Sequence, residues 1–67
     1  MTKEYLMKEI RREYDYYNSK RLTRPEYIGS IVGRIEAYVS ILWELDMITV
    51  NGYELLDGLT SRMLQSI

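Results

Sequence analysis

From Tyr27 to Leu45, apolar residues recur every three or four positions, and the width of the face they form constrains the fold more than any other feature. Projected at 100° per residue, Tyr27, Ile28, Ile31, Val32, Ile35, Tyr38, Val39, Leu42, Trp43 and Leu45 fill one arc of roughly 160°. A surface helix covered on one side needs only about 100° of apolar stripe. The excess calls for two packing partners, and the segments on either side are the obvious pair. The pattern predicts a central helix from Arg24 to Met47. Thr23 and Glu26 are spaced as a capping box at its start, and Leu22 and Tyr27 as the accompanying hydrophobic staple.

The preceding segment predicts a helix from Lys3 to Tyr17 with Thr2 as N-cap. Leu6, Met7, Ile10, Tyr14 and Tyr17 share its inner face, Asn18-Ser19-Lys20 closes it, and Lys20 to Thr23 connects it onward. The last segment supports two readings. Val50-Asn51-Gly52-Tyr53, flanked by apolar residues, carries a β-hairpin signal. Against it, Asn51 and Glu54 are spaced as a capping box with Val50 and Leu55 as staple, Thr49 competes as N-cap, and Leu55, Leu56, Leu59, Met63 and Ile67 continue at helical spacing. A lone hairpin is marginal in water, which favours the helix, with Gly58 as a weak point. The expected fold is all-α: one domain over residues 1–67, a three-helix antiparallel arrangement with a long central helix. Two helices plus a short hairpin near residues 47–56 is the alternative. Leu6, Ile10, Ile31, Ile35, Val39, Leu42, Leu59 and Met63 are the expected core.

Composition narrows the chemistry. There is no cysteine and no histidine, so disulfides, thiolate metal sites and the commonest general base are absent. The carboxylates are dispersed, and exposed acids two turns apart, such as Glu36 and Glu44, read as solvated surface. Gly29-Ser-Ile-Val-Gly33 lacks the Lys-Ser/Thr of a phosphate loop and lies inside a helical pattern. No enzyme activity, metal or cofactor is expected. Met1 to Ile10 is charged and lacks an apolar run, and no stretch is long enough to span a bilayer, so a soluble cytoplasmic protein is expected.

Three surface features remain. Gly29, Gly33, Ala37 and Ser40 form a small-residue stripe opposite the apolar arc, bordered by Ile41, where another helix could approach closely; Gly33→Leu is expected to break such an association. The stripe could also receive the first or third helix. Seven tyrosines and no phenylalanine give most aromatic rings a polar handle. Tyr14, Tyr17, Tyr27 and Tyr38 are expected against the core, whereas Tyr5 and Tyr16 lie off the inner face and are the expected contact residues. Charge is also segregated. Residues 1–24 carry seven Lys/Arg and four Asp/Glu, net +3; residues 25–67 carry two and six, net −4; together these give the chain's −1. Either the first helix is neutralised against acidic neighbours, or Lys8, Arg11, Arg12, Lys20, Arg21 and Arg24 form a basic edge for nucleic acid.

The run Leu42-Trp-Glu-Leu-Asp-Met-Ile-Thr-Val-Asn-Gly-Tyr-Glu-Leu-Leu56 resembles the helix–Ile-Thr–helix corners of small accessory proteins of Gram-positive phages and mobile elements. That resemblance implies action by binding, inhibiting or redirecting a host protein. The sequence therefore points to a protein-binding module that self-associates or holds a foreign partner through Tyr5, Tyr16, Gly29, Gly33, Ala37, Ser40 and Ile41. A small nucleic-acid-binding regulator is the alternative.

Overall fold

The structure, a computed structural model, describes residues 2–20 and 24–66. They form α1 (Lys3–Lys20), α2 (Pro25–Glu44) and α3 (Val50–Gln65), with no strand among the described residues. The helical reading of residues 47–56 therefore holds and the hairpin does not.

Each helix starts where local chemistry allows. Thr2 caps α1, its Oγ1 accepting from the Tyr5 N–H at 3.1 Å. The helix runs on to Lys20, three residues past the expected end at Tyr17. Asn18, Ser19 and Lys20 are helical, with the Ser19 hydroxyl donating to the Tyr16 carbonyl at 3.3 Å, so the run extends the helix and does not close it. At the start of α2 the N-cap position is Arg24, in extended backbone, and Pro25 occupies the first turn. There a missing N–H costs nothing and the fixed φ suits a helix. The expected Thr23 cap and Leu22 staple lie outside the described residues. In α3 the cap is Thr49 and not Asn51: the Thr49 Oγ1 accepts from the Gly52 N–H at 3.1 Å, and Asn51 lies inside the first turn.

The end of α2 corrects the expected boundary at Met47. Asp46 adopts φ 57°, the left-handed region, in a position usually held by glycine. The Met47 N–H then reaches back to the Leu42 carbonyl at 2.8 Å and the Asp46 N–H to the Trp43 carbonyl at 3.1 Å. This pair of bonds is a Schellman motif, and it stops the helix at Glu44. It also turns Met47 inward onto the core, as such motifs commonly do.

Both outer helices pack on α2, and no comparable packing joins α1 to α3. The core comprises Leu6 and Ile10 of α1, Ile28, Ile31, Val32, Ile35, Val39 and Leu42 of α2, and Met63 of α3. Leu59, expected inside, packs against this cluster half-buried. Thr60 is buried too, its hydroxyl satisfied by the Asp57 carbonyl at 2.9 Å. The apolar arc of α2 is buried only along its middle. Its flanks, Tyr27, Trp43 and Leu45, are exposed, and Tyr27 at 51% is a contact candidate, contrary to the core role expected of it. Two flanking helices cover a wide face but not its margins. Met7, expected on the inner face of α1, is exposed, and so is Leu55 of α3.

Candidate functional site

The small-residue stripe takes neither neighbour. Gly29, Gly33, Ala37 and Ser40 are exposed, and a Cβ built on Gly29 or Gly33 would meet nothing within 4 Å. Ser40 alone joins a groove, the one between α2 and α3 lined with Glu36, Val39, Tyr53, Leu56, Asp57 and Thr60. Trp43 lies against Tyr53 at 5.0 Å between ring centroids, tilted by 50°. Ile41, expected as a contact residue, is half-buried and packs against the core, because it lies far enough round α2 to meet the cluster.

Tyr5 and Tyr16 are exposed as expected. Tyr16 belongs to a distinct feature, the seam between α1 and α2. Tyr16, Tyr27, Ser30, Ile31 and Arg34 enclose a cleft of about 440 Å³, and Arg12 and Glu13 line its continuation past Tyr16 and Arg34. Arg34 is held by Glu13, its Nε donating to the carboxylate at 2.8 Å. That hydrogen bond is the main reason its pKa is raised above the ordinary arginine value. Glu13 thus fixes the guanidinium through one edge, and its two terminal nitrogens have no acceptor among the described residues. Farther along, the Arg24 guanidinium lies over the Tyr27 ring, 5.8 Å from its centroid.

The structure also decides how the charge asymmetry is met. Among the described residues, the one ion pair between helices joins an acid of α1 to a base of α2, Glu13 to Arg34. The remaining pairs, Arg11–Asp15 and Arg12–Glu9, stay within α1. Glu26, Glu36 and Glu44 are exposed and pair with no base of α1. Among the described residues, no base of α1 forms an ion pair with an acid of α2 or α3. Nor do the basic residues form one edge. Arg12 and Arg24 border the seam, Lys20 follows Tyr16 one turn later on the same row, and Lys8 leads into Arg12 one turn before. Arg11 lies elsewhere on the helix, paired to Asp15, and Arg21 is outside the described residues. Arg34, missed in the sequence because it stands alone among apolar and small residues, is the base held most firmly at the seam.

A third feature lies at the opposite end. The first turns of α1 and α3 and the corner between α2 and α3 leave a cleft of about 390 Å³. Met7, Met47, Ile48, Leu55 and Leu56 supply its apolar surface, with Lys3 and Asp46 at its edge. Leu55 is 74% exposed, the largest exposure among the bulky apolar side chains described.

No helix among the described residues is long and apolar enough to cross a membrane. Comparison with family models, with curated proteins and with solved structures found no match for this chain.

Proposed function

We propose that this chain is a non-enzymatic helical module that binds another protein by accepting an amphipathic helix between α1 and α3. The supporting observation is the exposed apolar cleft of Met7, Met47, Ile48, Leu55 and Leu56. Two helices flank a third and leave this cleft between their first turns, an arrangement one helix short of a four-helix bundle. A helix entering there would lay its apolar face along the cleft, and the two methionines supply adaptable, polarizable contact. Leu55 is costly to expose and contributes little to the core, as expected of a residue kept for docking.

An accessory protein that redirects or inhibits a host protein, the role implied by the corner at Leu42–Leu56, would work through such a cleft. A second copy of the chain is the competing occupant. The test is a capture experiment with the wild type and Leu55→Glu in parallel, together with sedimentation equilibrium of both. A stoichiometric protein retained by the wild type and lost with Leu55→Glu supports the reading. A wild-type dimer that Leu55→Glu converts to monomer assigns the cleft to self-association. Equal retention by both proteins removes the cleft from the account.

A further inference from the structure

We propose that the seam between α1 and α2 is a second, independent site, one that binds single-stranded nucleic acid by stacking bases on Tyr16 and Tyr27 and pairing phosphates with Arg12, Arg24 and Arg34. The inference does not rest on the protein-docking cleft, which lies at the other end of the molecule.

Three observations carry it together. The two rings line one cleft whose floor is Ile31, and both are about half exposed, Tyr16 at 49% and Tyr27 at 51%, so each offers ring surface to a ligand. Guanidinium groups are interleaved with them: Arg24 over Tyr27, Arg34 lining the cleft, and Arg12 just past Tyr16. Arg34 is oriented by Glu13 through its Nε alone, which presents the forked pair of terminal nitrogens that suits a phosphate. Along α2 the distance from Tyr27 to Arg34 is on the order of 10 Å at about 1.5 Å per residue, room for a short run of nucleotides.

Charge agrees with this. Arg12 is paired with Glu9 and Arg34 with Glu13, and Arg24 over Tyr27 forms no ion pair among the described residues, so these five side chains carry three bases against two acids on a chain of net charge −1. Aromatic planes alternating with cations are the recurring chemistry of single-strand binders, in which stacking tolerates any base. An acidic peptide would use the guanidinium groups but not the exposed ring faces. A surplus this small predicts modest, non-sequence-specific affinity.

The experiment is fluorescence anisotropy with a labelled oligothymidylate of about ten nucleotides, within the site sizes such proteins occupy. Neutralising two or three phosphates, at about 0.7 per phosphate in the log–log salt slope, predicts roughly tenfold weaker binding from about 50 to about 200 mM salt. Two charge-matched variants locate the site. Arg12→Gln with Arg34→Gln should weaken binding about tenfold or more and flatten the salt dependence. Arg11→Gln with Arg62→Gln removes the same charge elsewhere and should leave binding within about twofold. Tyr16→Ala with Tyr27→Ala should also weaken it about tenfold, and Tyr16→Phe with Tyr27→Phe should restore it, since the ring suffices for stacking. Circular dichroism confirms that each variant is folded. No binding at roughly 100 μM protein, the weak end of non-specific affinity, overturns the proposal. So does equal weakening by the two charge-matched variants, or a decaglutamate peptide that binds as tightly as the oligonucleotide.

Discussion

The Tyr17 hydroxyl and the Ser66 Oγ lie 2.9 Å apart and tie the C-terminal end of α1 to that of α3 across 49 positions of sequence. Ser66 also donates to the Met63 carbonyl at 2.6 Å, which uses its only hydroxyl proton, so Tyr17 is the donor in the bond between helices. Tyr17→Phe keeps the ring against the core and removes only this hydrogen bond, a local fastening. The expected loss is about 0.5–1 kcal/mol at this partly exposed site, read as an earlier urea midpoint with unchanged slope. Faster amide exchange should be confined to the last turn of α3.

Asp46 holds a left-handed backbone conformation that glycine adopts without steric cost. Asp46→Gly should therefore stabilise the protein by a few tenths of a kcal/mol to about 1 kcal/mol. Asp46→Val, which forces a β-branched residue into the same conformation, should destabilise by at least as much. Thermal unfolding of the three proteins side by side checks both signs. A lower midpoint for Asp46→Gly would mean that the carboxylate contributes something the backbone geometry does not reveal.

Gly29 and Gly33 lie inside α2 with open space where a Cβ would stand. Each substitution to alanine should add about 1 kcal/mol through helix propensity alone, and the two should be nearly additive. Urea denaturation checks the energies. Sedimentation of Gly33→Leu checks whether the stripe holds a second copy, in which case the bulky residue lowers the mass.

Leu6 and Leu55 make a controlled pair. Leu6 is fully buried and Leu55 is 74% exposed. Leu6→Ala should cost about 2–5 kcal/mol, a large share of the stability of so small a domain. Leu55→Glu should stay within about 0.5 kcal/mol of the wild type, so any loss of partner binding by that variant reports on docking and not on folding.

Thr49 and Asn51 offered competing caps in the sequence, and the structure chooses Thr49. Thr49→Ala should cost about 1 kcal/mol, and Asn51→Ala close to nothing. The pair checks by chemical denaturation which residue starts α3.

The broad apolar arc of α2 was legible because periodicity reports burial directly, and it correctly implied two packing partners. Its margins were not. Hydropathy gives Tyr27, Trp43 and Leu45 the same weight as Ile35, whereas burial depends on how far around α2 the neighbours extend. The end of α2 was hidden for a different reason: Asp46 carries none of the marks of a glycine stop, and its conformation emerges only with the two hydrogen bonds around it. At the seam, Tyr16 could be read as exposed from its place on the first helix. Arg34 could not be linked to it, because Glu13 lies on another helix and their pairing is a product of packing.

The packing of both outer helices on the central α2 has a consequence for how the molecule opens. Side chains such as Ile35 sit at the shared support, so weakening them loosens both outer helices together. A defect on the outer side of α3 can release that helix while the pair of α1 and α2 persists. Native-state hydrogen exchange is then expected to show two tiers of opening, a cheaper one that frees α3 and a costlier one that dissolves everything. The cheaper one would also widen the cleft beside Leu55. A helix seated there, as proposed for the cleft, would be expected to hold α3 down.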